Sequence, residues 1–292
     1  MRKNGFYKQK QCWQCKDCGT VFILKKHWAE RAREEYCFGR LSYTQIGKKY
    51  GKCTRSVQRN FDKLRINYFL HTPQDKHINL SLDGVYFGWS LCYVVFRAGG
   101  KTIYFKRCSE TINNVSQCLR ELADMGYTFK SFTIDGKKGM SQRLQKDYPD
   151  IPVQYCHFHQ KKTVRRYLTK QPKTECGQAI KELLVDLKEF DRPLFVARLN
   201  ALAARYKYFL AERNEKRKFM HQRVRSALRS LNKNAELLFT YKTFEHLKIP
   251  NTTNTCEGYF SQIKRKVRAH PGLTRPRLIR LIERLFCEQL KT

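Results

Sequence analysis

The sequence has no run of about 18 apolar residues, roughly the least that crosses a bilayer as a helix. Its first residues, Met1-Arg2-Lys3-Asn4-Gly5, lead into no apolar signal-peptide core. A membrane partner is therefore not expected, and a soluble, cytoplasmic protein is. Acid is also scarce: 25 Asp plus Glu stand against 59 Lys plus Arg, a formal charge of +34. No internal repeat is present, and the bases run along the whole chain rather than in one tail. A basic excess this large points to a long polyanion, because neutralising phosphates releases their counterions. A ribosome-associated protein or a plain solvated basic surface gives the same charge, so charge alone is a footprint. Cysteine is not scarce, at 12, but the residues are scattered and several, such as Cys92, Cys118 and Cys287, sit in apolar periodic segments. Reduced thiols of a cytoplasmic protein fit this better than a disulfide scaffold. Hydrophobic residues at 41% and aromatics at 13% are enough to bury a core.

Residues 11 to 22 read QCWQCKDCGTVF, and Cys15-x2-Cys18 followed by Gly19 has the shape of a zinc knuckle. A knuckle gives two of the four thiolate or imidazole ligands of a structural zinc. Cys12 makes a second, overlapping Cys-x2-Cys, and one ion rarely takes three thiolates from so tight a run. The string resembles the second half of a zinc ribbon whose first half would lie upstream of Met1. The expectation for zinc at Cys15 and Cys18 is weak binding or none.

From about Ala29 to Leu64 the apolar spacing is helical: Tyr43, Ile46 and Tyr50, then Gly51 and a polar break, then Val57, Phe61 and Leu64. This predicts a helix-turn-helix whose second helix is capped by Thr54 and shows Arg55, Ser56, Gln58 and Arg59 outward. Such donors reach base edges and phosphates in a major groove. An ordinary helical hairpin has the same pattern.

A linker with Pro73 precedes a change to strands. Ile78, Leu80 and Leu82 alternate with Asn79, Ser81 and Asp83, which predicts a strand ending at an acid. Residues 89 to 97 and 101 to 108 flank Gly99-Gly100 as a hairpin. A helix with Val115, Leu119, Leu122 and Met125 on one face stops at Gly126, and residues 129 to 135 form a fourth strand that again ends at an acid, Asp135. A short helix and a fifth strand near Val153 to Cys156 follow. Residues from about 160 to 250 are mostly helix-forming, and residues 251 to 268 open a final helix. This order resembles the ribonuclease-H-like fold of transposases and integrases. In that fold the first and fourth strands are neighbours, so the resemblance implies that Asp83 and Asp135 meet at adjacent strand ends.

Isolated Asp-Gly pairs are usually turns, yet phosphodiester cutting by two metal ions needs convergent carboxylates, the natural ligands of hard cations. The string Asn251, Thr252, Thr253, Asn254, Glu257, Gly258, then Lys264, His270 and Gly272-Leu273 resembles the terminal motif of Mutator-type transposases, in particular the bacterial insertion-sequence branch with an N-terminal zinc ribbon. A Cys-x2-His after the fifth strand, Cys156 and His159 here, accompanies it, and the resemblance spans essentially the whole chain. It implies a DDE transposase that binds terminal inverted repeats, frees a 3′ hydroxyl and joins it to target DNA. Asp83, Asp135 and Glu257 would hold Mg²⁺ or Mn²⁺. Cys156 and His159 are expected to support the wall of the site rather than bind metal or DNA. Lys264, Arg265, Lys266 and Arg268 can face phosphates, with an exposed charged helix face as the plain alternative.

Glu257 has a second reading, as the third residue of a helix capped by Asn254, where a carboxylate closes a capping box. Glu182, Glu189 and Glu245 compete for the third ligand, but the first two lie in the helical stretch and Glu245 precedes Pro250. Phe260, Ile263 and Val267 are the stripe expected to hold the last helix on the sheet. The organisation expected is a partial zinc ribbon at 1–26, a helix-turn-helix at 27–70, an α/β catalytic domain at 76–164 and 251–292, and an all-helical insertion at 165–250. A homo-oligomer on double-stranded DNA follows, since two ends must be joined, as does association with a bacterial nucleoid. A non-catalytic regulator derived from a transposase, and a cellular nuclease of the same fold, are the rival functions.

Overall fold

The computed structural model describes residues 1–7, 10–23, 28–64, 74–88, 90–137 and 139–287. The linker at Pro73 and the first residue of the predicted second strand, Trp89, lie outside the described residues. Strands β1 (Arg2–Tyr7), β2 (Lys10–Gln14) and β3 (Val21–Ile23) precede helices α1 (Trp28–Gly39), α2 (Tyr43–Tyr50) and α3 (Thr54–Lys63). Then come β4 (His77–Phe87), β5 (Leu91–Ala98), β6 (Lys101–Lys106), α4 (Ile112–Asp124), β7 (Thr128–Ile134), α5 (Met140–Asp147), β8 (Val153–Tyr155) and α6 (His157–Leu168). Helices α7 (Glu175–Val185), α8 (Arg192–Arg205), α9 (Lys207–Ala211), α10 (Gln222–Leu238) and α11 (Thr240–Thr243) follow, and α12 (Asn254–Arg268) and α13 (Arg275–Phe286) close the chain. By contacts the chain forms two compact units, Met1–Asn67 with Arg265–Leu285, and Tyr68–Lys264 with Phe286–Thr292.

In the first unit β1, β2 and β3 form an antiparallel sheet. Gly19, at φ +70°, lets the chain turn back at Cys15–Thr20, where the Cys15 amide donates to the Thr20 carbonyl at 3.0 Å. Helix α2 starts at a capping box: Ser42 accepts from the Gln45 amide and the Gln45 side chain accepts from the Ser42 amide. It stops at Gly51, whose φ of 61° is the left-handed cap that glycine adopts without strain. Helix α3 begins one residue earlier than expected: Cys53 is its extended cap, with no side-chain bond, and Thr54 is already helical. Ile46, Val57 and Phe61 are buried as the spacing requires. They pack around Tyr36, whose ring stacks on Tyr43 at 4.6 Å and contacts Phe61 at 5.6 Å and His270 at 4.0 Å. Arg277 on α13 grips the Asp62 carboxylate at 2.8 Å.

The second unit is built on a five-stranded mixed sheet of order β6-β5-β4-β7-β8. The β4, β5 and β6 pairings are antiparallel, while β4, β7 and β8 run parallel. Gly99 and Gly100, both at positive φ, make the two-residue turn that joins Ala98 to Lys101. On α4 Val115, Leu119 and Leu122 are fully buried, but Met125 is 49% exposed because the helix has ended at Asp124.

Alternation along the strands sorts the two faces. Leu80, Leu82, Val94, Phe96, Phe132 and Ile134 join Val115, Leu119 and Leu122 of α4 in the main core. The opposite face is polar where it meets the segment before α12: Ser131 donates to Asn79, Asn79 donates to the Leu247 carbonyl at 2.8 Å, and Thr133 donates to the Pro250 carbonyl at 2.9 Å. Helix α12 buries Cys256, Tyr259, Phe260 and Ile263, and Tyr259 receives the Arg97 guanidinium on its ring at 4.3 Å. The expected stripe is present in Phe260 and Ile263, while Val267 is only half-buried.

The edge strand β8 is covered rather than left open. Gln154 donates to the Leu238 carbonyl at 2.8 Å and accepts from the Tyr241 amide, and Thr240 donates to the Val153 carbonyl. The regular structure of residues 165–250 is helical, joined by turns and loops, apart from an isolated bridge between Arg213 and Phe219. Among the described residues no helix is long and apolar enough to cross a membrane.

Candidate active site

Parallel pairing of β4 with β7 runs through Leu80 opposite Phe132 and Ser81 opposite Thr133. Continuing that register by two residues sets Asp83 level with Asp135. Both line one pocket of about 530 Å³. Their local settings differ. Asp135 follows the last residue of β7, and Gly136, at φ +65°, turns the chain so that the Lys137 amide donates back to the Asp135 carboxylate at 3.0 Å. Asp83 does not end its strand: β4 continues to Phe87, with Asp83 opposite Val95 and Gly84 opposite Val94.

The expected turn at Asp83-Gly84 is therefore absent, and the glycine has another cause. Any Cβ at residue 84 would collide with the Glu110 carboxylate. Glu110, in the loop before α4, is buried and lines the same pocket. Lys137 holds it, with Nζ 3.7 Å from Oε2 and a hydrogen bond to the Glu110 carbonyl. Sequence reasoning missed Glu110, since Ser109-Glu110-Thr111 reads only as the entry to a helix. Its one trace was a glycine inside a strand, which marks close approach by another group.

Electrostatics follow from this crowding. Burial, with the Glu110 and Asp135 charges beside it, pushes the Asp83 carboxyl up to about 7, and His159 pulls the other way. Burial and the Asp135 charge likewise raise Glu110, against Lys137. Three acids facing one cavity repel one another, a repulsion that a hard cation would relieve.

Glu257 stands one side chain away from the pocket. It is the fourth residue of α12, its amide donating to the Thr253 carbonyl at 3.2 Å, so it lies one position beyond the capping-box site. Its Oε1 meets His159 Nε2 at 3.3 Å and Lys162 Nζ at 3.2 Å, and both of those residues line the pocket. Among the described residues no three His, Cys, Asp or Glu side chains are arranged to hold one metal ion. The acids Asp83, Asp135 and Glu110 share the cavity, and Glu257 reaches it through His159.

Cys156 and His159 explain how α12 is tied to this place. Cys156 is buried between β8 and α6, and its sulfur accepts from the Thr253 amide at 3.1 Å and the Thr253 hydroxyl at 3.2 Å. His159, one turn on, is mostly buried rather than a surface imidazole, with Nδ1 3.4 Å from the Thr253 hydroxyl. Burial works against the Cys156 thiolate, but His159 and Thr253 outweigh it and bring the thiol down to about 7. Burial alone would depress the His159 imidazole, yet Cys156, Asp83 and Asp135 push it up to about 9.

The remaining predicted residues are on surfaces. Arg55 and Arg59 on α3 are exposed and Gln58 half-buried. Lys264 is half-buried, and Arg265 and Arg268 are exposed. Cys18 Sγ lies 3.2 Å from the Thr20 hydroxyl, whose hydrogen bond to the sulfur, with those of the Thr20 backbone and Cys15, lowers the thiol, and Cys15 lies 3.9 Å from Asp17.

A mixed α/β unit with one acid on a strand and a second just past the end of its parallel neighbour is the class of protein that the fold defines. The profile of the Mutator family of transposases matches residues 109–289, more than half of the chain, and the chain belongs to that family. The matched segment contains Glu110, Asp135, Cys156, His159 and Glu257, and Asp83 precedes it. No curated protein shows significant similarity to the chain.

Proposed function

We propose that the chain is a DDE transposase of a bacterial insertion sequence, which binds the terminal inverted repeats of its element and carries out metal-dependent cleavage and strand transfer. The observation that carries this reading is the meeting of Asp83, on β4, and Asp135, just past the end of the parallel neighbour β7, in one pocket of a Mutator-family transposase. The strand order, three antiparallel strands and then two parallel ones, supports a ribonuclease-H-like catalytic domain.

Asp83, Asp135 and Glu257 would hold Mg²⁺ or Mn²⁺. The bound ions supply charge for the attacking and leaving oxygens of an in-line displacement. The chain's own residues do the rest. Gly84 and Lys137 amides orient the two aspartates, Glu110 with Lys137 fixes the loops on either side, and His159 and Lys162 hold Glu257 one side chain from the pocket. Helices α2 and α3 serve as the helix-turn-helix that reads the ends, with Arg55, Gln58 and Arg59 toward the groove. Lys264, Arg265 and Arg268 meet phosphates. Among the three N-terminal strands Cys15 and Cys18 would offer two ligands to a zinc ion, and two copies of the chain act together on a pair of ends.

Incubating the full chain with a duplex bearing the element's terminal repeat, a target plasmid and Mg²⁺ tests the reading. Joined products with the repeat's 3′ end covalently linked to target are expected. A chain that binds the repeat but joins nothing with Mg²⁺ or Mn²⁺ would instead be a regulator.

A further inference from the structure

The pocket of the aspartates has two unlike walls. One is acidic, with Asp83, Glu110 and Asp135. The other is the face of α6 that carries His159, Lys162, Thr163 and Arg166, together with Ser230 and Asn234 of α10. Those α6 positions are i, i+3, i+4 and i+7, so they form one stripe that climbs about 10 Å along the helix. Its lower end is engaged, since His159 and Lys162 both meet Glu257.

Its upper end is not. Arg166 is exposed, and a single guanidinium nitrogen donates to the Thr163 hydroxyl at 3.2 Å. Arg166 lines the cavity, and a guanidinium is a planar fork of donors suited to taking phosphate oxygens in pairs. The α10 wall is held in place, because Gln160 of α6 donates to Ser230 at 3.2 Å and accepts from Asn234 at 2.9 Å. Thus the helical segment completes the pocket rather than merely covering the sheet.

A phosphodiester placed at the acids belongs to a strand whose adjoining phosphates must leave the cavity along some wall. We infer that the α6 stripe ending at Arg166 is a binding subsite for the sugar-phosphate backbone of the DNA strand flanking the scissile phosphate. The inference rests on the transposase reading above. It gives α6 two roles, holding Glu257 at one end and setting the path of the strand at the other. Arg165, its neighbour in sequence and also exposed, lines a separate cavity with Lys161 and Lys181 and has no place on this path.

The test uses the full chain, Mg²⁺ and duplexes ending in the terminal repeat, in which single phosphates beside the cut are replaced one at a time by neutral methylphosphonates. Arg166→Gln should fold as the parent does and lower cleavage by about tenfold, the loss of one charge-assisted contact. Arg165→Gln, with the same change in net charge, should stay within about twofold, since it removes no contact to the strand. One neutralised position should depress the parent and leave Arg166→Gln unaffected, because both remove the same contact. Equal losses in parent and variant at every position, or a defect in Arg165→Gln as large as in Arg166→Gln, would overturn the subsite while cleavage itself stands. If the parent cuts no DNA with either Mg²⁺ or Mn²⁺, the enzymatic reading fails. Low-salt binding of the same duplexes then decides the subsite by the same pairing of position with Arg166.

Discussion

His159 Nε2 lies 3.3 Å from Glu257 Oε1 while the same imidazole feels the charge of Asp83 and Asp135. It is thus the link between the acid on α12 and the two on the sheet. Removing it in His159→Ala leaves Glu257 with Lys162 alone. Losing an orienting partner of a metal-ligating group typically costs about 10–100-fold in metal affinity or activity. The Mg²⁺ concentration for half-maximal cleavage should rise by that order, with binding to the terminal repeat unchanged. A variant with normal Mg²⁺ dependence would leave His159 as wall and nothing more.

Gly84→Ala tests the crowding at the acids. The new methyl group has no room, since it meets the Glu110 side chain in a continuous strand. Overpacking of this kind costs roughly 1–3 kcal/mol, and displacing Glu110 also frees Lys137. Stability should fall by that amount and cleavage with it, and adding Glu110→Ala should restore stability in part. Equal stability of Gly84→Ala and the parent would refute the close contact.

A pH dependence of stability follows from His157. Its ring is buried, Nε2 lies 2.7 Å from the Leu238 carbonyl, and burial pulls its pKa down to about 4. The unfolded chain therefore takes up a proton, near pH 6.5, before the folded one does. Stability attributable to this residue is present above pH 6.5 and is lost as pH falls toward 4, a loss of roughly 3 kcal/mol. Urea unfolding at pH 7 and pH 4.5 should show it, and His157→Gln should flatten that slope. A slope unchanged in the variant would mean that other groups carry it.

Much of this site could be read from the residues because strand periodicity is simple. Alternation placed Asp83 and Asp135 on strands, and parallel pairing of β4 with β7 brings them level. What could not be read lay in tertiary approach. Gly84 resembled a turn and is instead the seat of Glu110, which comes from a loop with no periodic signal. The cap of α3 shifted from Thr54 to Cys53, a one-residue change that propensity does not resolve. Likewise Cys156 and His159 suggested only a supporting wall. Their bonds to Thr253 and Glu257 cross more than 90 positions of sequence.

Binding and chemistry should separate by unit. Arg55 and Arg59 lie in the first unit and the aspartates in the second. Arg55→Ala or Arg59→Ala should weaken binding to the terminal repeat, by roughly 1–3 kcal/mol where a base contact is lost. Asp135→Ala should bind the repeat almost as the parent does. Gel-shift titrations of the three variants distinguish these outcomes, and the reverse pattern would remove α3 from end recognition.

In the proposed site Glu257 completes the metal-holding set with Asp83 and Asp135, although Glu110 shares the pocket of the two aspartates. The direct measurement is Mg²⁺-dependent cleavage of a terminal-repeat duplex by Glu257→Gln beside Glu110→Gln, each keeping side-chain size while removing one charge. Glu257→Gln should not cleave, with fold and repeat binding retained, and Glu110→Gln should show reduced but measurable cleavage. Normal cleavage by Glu257→Gln together with none by Glu110→Gln would contradict this assignment and pass the third ligand to Glu110.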